Sequence, residues 1–253
     1  MQLYKYMDIG SAKPDRGELS QVRHHLIDEI DPREPFSVAQ YQKLAKNAIN
    51  DIFKRGKQPV VCGGTGLYIN AIIYDMDFTA PPVEKAYRKE LEDLAAMYGN
   101  EYIHARLKEK DPEAAERIHP NNLKKMIRAL EVAENSGRRI KSFENSFVKT
   151  KDYDTEIICL NRDRKELYER IERRVDQLIE SGLIDEVKSL LDMGLKESDI
   201  SMKGIGYKEI IGYLDGGYSL DTAIGMIKQN TRNYAKRQLT WFKRYEDAEW
   251  IDL

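Results

Sequence analysis

A short run of glycines around one threonine forms a candidate site for an anionic ligand. The apolar run 59–62 ends in Gly-Gly-Thr-Gly at 63–66, and an apolar segment beginning at Leu67 follows. A turn between a strand and a helix presents free backbone N–H groups beside the positive end of the helix, which favours an anion or a polar oxygen. No lysine follows the glycines, so this is not a G-x-x-x-x-G-K-[ST] loop. Glycine also serves turn geometry alone, and that interpretation stays open.

A second candidate is an arginine on the segment 164–181, where we expect a helix. Its apolar seam consists of Leu167, Ile171, Val175 and Leu178. Arg174 follows Ile171 by three residues, so we expect it to project close to the seam, with Arg170 one turn earlier on the same side. A guanidinium group in that position needs a carboxylate or a phosphate. A buried ion pair and a clamp for a diphosphate are both consistent with this pattern.

The last long helical segment, 220–245, places a row of cations beside an apolar stripe. The row consists of Lys228, Arg232, Lys236 and Lys243. Residues 228–244 include six basic and no acidic side chains, and residues 119–151 include eight basic and three acidic ones. The whole chain has 41 Lys+Arg against 43 Asp+Glu, a net charge of −2. Basic residues are therefore clustered in these two segments of a nearly neutral chain. This pattern favours a polyanion-binding surface over its alternative, a solvated helix face.

Other residue types give little indication of chemistry. His24 and His25 have no second cluster with ligand spacing, so no metal site is predicted. No nucleophile pair and no general base stand out. Cys62 and Cys159 lie in apolar runs and are predicted to be small buried residues in a reducing compartment. The sequence has neither a signal peptide nor an apolar run near the roughly 20 residues of a spanning helix, so we expect a cytoplasmic protein without a membrane partner.

Strands alternate with helices in the first and last parts of the chain, which predicts an α/β core. The run 59–62, bounded by Pro and Gly, predicts a buried parallel strand. Ser37 is expected to cap a helix over 37–55. A second strand is predicted at 156–160, and residues 248–251 could close the sheet as a last strand. Further helices are predicted at 164–181, 184–193, 207–214 and 220–245.

The middle of the chain carries helical patterns and no convincing strand. Pro81 and Pro82 mark its start, and a polar stretch at 149–154 marks its end. We therefore predict a core formed by 1–79 and 151–253, with a helical insertion over 80–150. The basic residues of 119–151 lie largely in this insertion, so we expect the insertion to contact a polyanion.

Several motifs, taken in order, resemble those of tRNA dimethylallyltransferases. They lie at 1–14 (beginning Met-Gln-Leu-Tyr), 24–28 (His-His-Leu-Ile-Asp), 63–68, 117–122 (Arg-Ile-His-Pro-Asn-Asn), 128–132 (Arg-Ala-Leu-Glu-Val), 204–207 and 235–241 (Ala-Lys-Arg-Gln-Leu-Thr-Trp). The resemblance covers essentially the whole chain. It implies a P-loop NTPase-like parallel sheet core with an inserted helical domain. It also implies transfer of a dimethylallyl group from dimethylallyl diphosphate to N6 of adenosine 37 of tRNA, with Mg²⁺ assisting and the protein acting as a monomer.

The resemblance also implies roles for individual residues. Met1 and Gln2 resemble the end of an element that contacts the target base, and Thr65 and Arg88 match contacts near the reacting adenosine. Arg174 matches the arginine that holds the diphosphate; with Arg170 it forms the implied diphosphate site, and with Thr65 the implied catalytic pair. Further positions implied to bind tRNA are Lys124, Lys125, Arg128, Lys203, Gly206, Tyr207 and Lys208. The cation row of the last helix adds Arg232 and Lys236 as predicted tRNA-binding residues. A flipped base and a leaving diphosphate require such a pocket and such cations.

One departure from the family pattern concerns the start of the sequence. The family begins with a strand and a Gly-Pro-Thr-Ala-Ser-Gly-Lys-Ser/Thr loop, followed by a strand ending in an Asp thought to accept the N6 proton. This sequence starts two residues after that Asp. We therefore expect a core without its N-terminal strand and P-loop, which leaves apolar surface uncovered. Either the sequence is a fragment or misassigned start of a normal enzyme, or it is a true truncated relative. In the second case we expect tRNA binding with little or no prenyl transfer. The alternatives are a non-catalytic tRNA-binding protein and a small-molecule kinase, although the kinase explains neither basic segment.

Overall fold

The computed structural model describes residues 1–76, 78, 85–136 and 148–253. They divide into two units, the first formed by Met1–Ile72 with Tyr153–Leu253 and the second by Ile73–Asp152. In chain order the elements are α1 (Arg16–Gln21), α2 (Val38–Lys54), α3 (Gly66–Ile73), α4 (Lys85–Tyr98), α5 (Asn100–Lys110), α6 (Pro112–Arg117), α7 (Leu123–Ser136), β1 (Ile158–Asn161), α8 (Arg164–Glu180), α9 (Leu183–Asp192), α10 (Tyr207–Leu214), α11 (Leu220–Phe242) and β2 (Glu249–Asp252), with a 3₁₀ turn at Ser201–Lys203.

Local signals place the helix ends. The Ser37 hydroxyl accepts the Gln40 N–H at 3.3 Å, and the Gln40 side-chain oxygen accepts the Ser37 N–H at 2.8 Å. This reciprocal cap starts α2, as predicted, and Gly56 at φ +66° follows its end. The predicted helices α8, α9, α10 and α11 are likewise confirmed to within a few residues.

The sheet of the first unit contains two parallel strands among the described residues. β1 pairs with β2 in the register Ile158 with Glu249 through Asn161 with Asp252. The Asn161 side chain also donates to the Asp252 carboxylate at 2.7 Å. The second predicted strand and the closing strand are therefore confirmed, and Cys159 within β1 is buried as expected.

The strand predicted at 59–62 is not formed. Residues 59–62 pair with no strand of the described chain, and Val60 is 85% exposed. A parallel strand requires a ladder of hydrogen bonds with a neighbour, and the described sheet offers none beside this segment. Cys62 is consequently exposed, so the prediction that it is buried is wrong.

The apolar core of the first unit lies between α8, α9, α10 and α11. Val175, Leu183 and Leu190 contribute from α8 and α9, while Ile210 and Ile227 contribute from the last two helices. Burying one such aliphatic side chain contributes roughly 1.5–3 kcal/mol. Met7 of the N-terminal segment joins the same core, so that segment is packed on this helical layer.

The second unit is built from α4, α5, α6 and α7 around a separate apolar cluster. Fully buried members of this cluster are Leu91, Ile103, Leu107 and Met126. Asp111 caps α6 by accepting the Ala114 N–H at 3.1 Å, with proline at the first helical position. The predicted entry at Pro81 and Pro82, and the basic residues Arg138, Arg139 and Lys141, lie outside the described residues.

Candidate active site

Hydrogen bonds to its own backbone fix the shape of the N-terminal segment. The Gln2 side chain donates from Nε2 to the carbonyl oxygens of Ala12 at 2.9 Å and Ser11 at 3.3 Å. The Gln2 amide oxygen has no hydrogen-bond donor among the described residues, and Met1 beside it is 40% exposed. The two predicted base contacts are therefore held in place while retaining groups that a ligand can reach.

A carboxylate on α9 holds the next part of this segment. Glu186 accepts the backbone N–H groups of Asp8 at 2.8 Å, Ile9 at 2.7 Å and Gly10 at 3.0 Å. The Tyr207 hydroxyl donates to the same carboxylate at 2.7 Å. Hydrogen bonds to an ionised acceptor are about twice as strong as neutral ones, so these four donors tie the segment firmly to α9 and α10.

The placement of Tyr207 and Gly206 corrects the roles implied for them. The Tyr207 side chain is fully buried and offers no surface to an RNA. Its burial, and then the Glu186 carboxylate, raise the pKa of its hydroxyl, so it stays a protonated donor. Gly206 has φ +98° and donates its N–H to the Glu209 carboxylate at 2.8 Å at the start of α10. Both residues position neighbouring elements instead of contacting tRNA.

The Gly-Gly-Thr-Gly turn at 63–66 packs on α11. Gln238 donates from Nε2 to the Gly64 carbonyl oxygen at 3.0 Å. A Cβ on Gly64 would lie 1.8 Å from that nitrogen, so the close approach requires glycine or a displaced Gln238. Thr65 is exposed, and its hydroxyl lies 3.4 Å from the Tyr234 hydroxyl, longer than a good O–H···O hydrogen bond. The Thr65 hydroxyl is thus placed at the N-terminus of α3 and remains available to a ligand.

The two arginines implied to hold a diphosphate are exposed on α8. Arg174 has no ion-pair partner among the described residues, and Arg170 lies 3.6 Å from the Glu166 carboxylate. The prediction that Arg174 projects into the apolar seam is wrong. The buried line of α8 runs through Ile171 and Val175, and a residue three positions after Ile171 is turned about 60° from it, enough to reach solvent. The buried ion pair is therefore excluded, and the guanidinium group has no carboxylate partner in the described part of the chain.

The cation row of α11 divides into paired and unpaired members. Lys228 lies 2.7 Å from the Asp176 carboxylate, and Arg232 lies 2.6 Å from the Glu172 carboxylate. Both cations therefore join α11 to α8, and the proposed phosphate contact of Arg232 competes with this ion pair. The exposed cations of the row that have no carboxylate partner in the described part of the chain are Lys236 and Lys243.

The second unit contains a buried carboxylate between two of the predicted tRNA-binding arginines. Glu131 is 1% exposed and accepts hydrogen bonds from Arg88 Nε at 2.8 Å and Arg88 Nη2 at 2.9 Å. Arg128 Nη1 donates to the same carboxylate at 3.2 Å. The two guanidinium groups are themselves partly exposed, so each has one edge on Glu131 and further donors for another ligand.

Four predicted tRNA-binding lysines are exposed: Lys124, Lys125, Lys203 and Lys208. Within the described chain, ion pairing involves only Lys208 of these, whose Nζ lies 3.5 Å from the Glu209 carboxylate. The ammonium groups of the other three are therefore available to phosphate groups.

In the described ranges, no three His, Cys, Asp or Glu side chains group closely enough to hold a metal ion. None of the described helices has both the length and the apolar character needed to cross a membrane.

Known proteins identify the family of this chain. The model of the IPP transferase family matches residues 2–245. The chain belongs to this family. Among related IPP transferases, the tRNA dimethylallyltransferase of Alkaliphilus oremlandii is 55% identical over the whole chain, which spans 81% of that protein. The tRNA dimethylallyltransferase of Clostridioides difficile is 52% identical with the same coverage.

Solved structures of IPP transferases have a similar fold. The tRNA isopentenylpyrophosphate transferase of Bacillus halodurans is 45% identical, with a TM-score of 0.70 over 99% of this chain and 78% of that one. A eukaryotic dimethylallyltransferase described as acting on tRNA is 27% identical, with a TM-score of 0.82 over 100% of this chain and 65% of that one. These likenesses confirm the predicted α/β fold class and the predicted enzyme class. They give no support to impaired transfer or to a non-catalytic protein.

Sequence reasoning missed two carboxylates of this IPP transferase, one in each unit, that position predicted ligand-binding residues of their own unit. Glu131 follows the buried Ile127 by four residues, so helical periodicity places it on the buried face of α7, which is a usable signal. Glu186 lies one residue before the buried Val187 in the first turn of α9. Nothing local distinguishes it from an ordinary acidic residue near a helix N-terminus, because its four donors come from distant parts of the chain.

Proposed function

We propose that this protein transfers a dimethylallyl group from dimethylallyl diphosphate to N6 of adenosine 37, beside the anticodon of tRNA. The observation that carries the proposal is the match of residues 2–245 to the IPP transferase family, whose related members are named as tRNA dimethylallyltransferases. In the reaction, N6 forms a bond to C1 of the donor, the C1–O bond breaks, and diphosphate leaves with the electron pair. A base takes the proton from N6.

Arg174 and Arg170 are the residues that we assign to the leaving diphosphate. Negative charge develops on the diphosphate as the C1–O bond breaks, and positioned cations stabilise that charge. Arg174 is suited to this because its guanidinium group is exposed and has no carboxylate partner among the described residues. Arg170 has only a long contact with Glu166, so a diphosphate could displace that contact at little cost.

Gln2, Met1 and Thr65 are the residues that we assign to the target base. The Gln2 amide group is oriented by the Ser11 and Ala12 carbonyl oxygens. The orientation of the amide group leaves its oxygen able to accept a hydrogen bond. The exocyclic amino group of adenine is a donor of that kind. The exposed Thr65 hydroxyl can donate to or accept from a base edge, and Met1 offers apolar contact to a flipped base.

Cations of both units are assigned to the tRNA backbone. Lysines without ion pairs lose no protein contact when they bind phosphate, and they release counterions from the RNA. Arg88 and Arg128 keep one edge on Glu131, which presents their remaining donors in fixed directions. The basic residues that we assign to phosphate contacts are Arg88, Lys124, Lys125, Arg128, Lys203, Lys208, Arg232 and Lys236.

Mg²⁺, the monomeric state and a cytoplasmic location complete the proposal. The described residues contain no group of three metal-ligating side chains. Mg²⁺ commonly binds through substrate phosphates and only one or two carboxylates, and we propose that it accompanies the donor diphosphate.

A transfer assay on the full chain tests the function. An anticodon stem-loop RNA and dimethylallyl diphosphate are incubated with the protein, and the modified adenosine is measured by mass spectrometry. Product at adenosine 37 is expected. Arg174→Gln should lower the transfer rate by about 10²–10³-fold without weakening RNA binding, whereas Arg173→Gln on the same helix should change it little. RNA binding without product from the unmodified chain would overturn the transferase proposal.

A further inference from the structure

A cavity of about 330 Å³ lies between the start of α8 and the C-terminal half of α11. The last residue of β1, Asn161, is in its wall, so the cavity opens at the carboxyl end of a parallel strand. Ligands of α/β proteins commonly bind at that end, and the volume is at the lower limit of small-ligand pockets. Its walls include Arg162, Arg164, Tyr168 and Lys236.

The cavity has an excess of positive charge. Three of its lining residues are cations and none is acidic. Arg162 is neutralised by an ion pair with Glu166. Arg164 and Lys236 have no carboxylate partner in the described part of the chain. This distinguishes Lys236 from the preceding members of the cation row, which are paired with acids of α8. Two cations that face one cavity without counter-charge favour an anionic ligand.

The phenol of Tyr168 brings the two unpaired cations together. Arg164 donates from Nε to the Tyr168 hydroxyl at 3.1 Å. Burial of the phenol acts to raise its pKa, but hydrogen bonds and charge from Arg164 and Lys236 outweigh burial, and the net effect is a lowered pKa. The hydroxyl oxygen therefore occupies a place where negative charge is favoured, the property that an anionic ligand would use.

The ring of Tyr168 is already engaged by cations. The guanidinium carbon of Arg164 lies 5.3 Å from the ring centroid, and that of Arg232 lies 5.9 Å from it. These are cation–π distances, so the ring does not offer a free stacking face for a nucleobase. A phosphate group suits the site better, because a guanidinium group and an ammonium group both donate hydrogen bonds to phosphate oxygens.

We propose that Arg164, Tyr168 and Lys236 form a phosphate-binding site separate from the Arg170 and Arg174 pair. The phosphate comes either from a backbone position of the bound tRNA or from free diphosphate released by the reaction. This inference rests on the proposed function for its ligands, although the site itself is defined by charge and shape.

The first test titrates inorganic diphosphate into the full chain by calorimetry. Arg164→Gln and Lys236→Gln should each weaken binding by about 5–10-fold, the effect of losing one charge-assisted hydrogen bond at an exposed site. Lys165→Gln changes the same charge beside the site, in an exposed side chain that does not line the cavity, and should leave diphosphate affinity unchanged. Circular dichroism and unfolding midpoints verify that each variant is folded. This pattern identifies free diphosphate as a ligand.

The second test measures the affinity for an anticodon stem-loop RNA over a range of salt concentrations. For a tRNA phosphate, Arg164→Gln and Lys236→Gln should each lower the slope of log K against log salt by about one unit, with no change for Lys165→Gln. If all three variants behave alike in both tests, or if none differs from the unmodified chain, the site does not exist. If the unmodified chain shows no transfer but the variants still differ from it in these two binding tests, the proposed function is overturned. The inference about the phosphate-binding site then still stands.

Discussion

Arg88 donates two hydrogen bonds, from Nε at 2.8 Å and from Nη2 at 2.9 Å, to the buried carboxylate of Glu131. This bidentate pair connects α4 with α7 in the second unit. Removing one partner of a buried ion pair costs more than the pair contributes, because the remaining group keeps its desolvation cost. Glu131 thus has two effects on the arginines that we assign to tRNA: it fixes their direction and reduces their net charge.

Glu131→Gln should destabilise the second unit by about 1–3 kcal/mol, because charge-assisted hydrogen bonds to both arginines are lost. It should also weaken specific RNA binding, although the protein becomes more positive. Glu134→Gln is the matched control, since its partly exposed carboxylate is 3.1 Å from Lys110 and such surface pairs contribute less than about 1 kcal/mol. Denaturant midpoints and stem-loop affinities measure both effects. If Glu131→Gln binds the specific RNA more tightly, the main effect of Glu131 is to reduce the charge of the two arginines and not to fix their direction.

Lys124→Gln combined with Lys125→Gln should lower the salt dependence of RNA binding. Both side chains are exposed and free of ion pairs among the described residues, so each should contribute about 0.7–0.9 unit to the slope of log K against log salt. Lys110→Gln removes the same charge from a lysine paired with Glu134 and should change the slope much less. The slope is obtained from binding isotherms at several salt concentrations. Equal changes for all three lysines would refute a specific role for Lys124 and Lys125.

Gly66→Ala should destabilise the first unit, because an added Cβ would lie 2.3 Å from the Trp241 ring. A rigid indole ring cannot move aside as easily as the end of a flexible chain, and overpacking of this kind costs about 1–3 kcal/mol. Gly63→Ala in the same turn is the control, since a Cβ there has no heavy atom within 4 Å. Thermal unfolding of the two variants compares them, and similar midpoints would contradict the packing described for this turn.

Tyr41 should make the first unit sensitive to alkaline pH. Its burial, and then the nearby hydroxyls of Tyr68 and Tyr153, raise its pKa from about 10 to about 12. Because the folded state holds this proton more tightly than the unfolded chain, the contribution is complete below pH 10 and is lost between pH 10 and 12. Tyr41→Phe should flatten the fall of unfolding free energy in that window, whereas Tyr98→Phe, at an exposed site, should not. An unchanged pH profile for Tyr41→Phe would disprove the assignment.

Helix positions and family were determined by the sequence alone. Ser37, Asp111 and the apolar periodicities of α8, α10 and α11 act within one or two turns of the chain, so local physical chemistry is enough to place those elements. Motifs spread from 1–14 to 235–241 were likewise sufficient to indicate the family, since they require order and residue type but no geometry.

The partners of charged residues were decided only by the tertiary structure. The sequence predicts Lys228 and Arg232 as free cations, but α8 places Asp176 and Glu172 beside them. The sequence also predicts Arg174 close to the apolar seam, whereas the packed face of α8 runs through other residues. The segment 59–62 has the composition of a strand, yet a strand exists only where a neighbour completes its hydrogen bonds. Ion pairs and sheet ladders join residues far apart in the chain, and spacing along one segment carries no information about the other side of the contact.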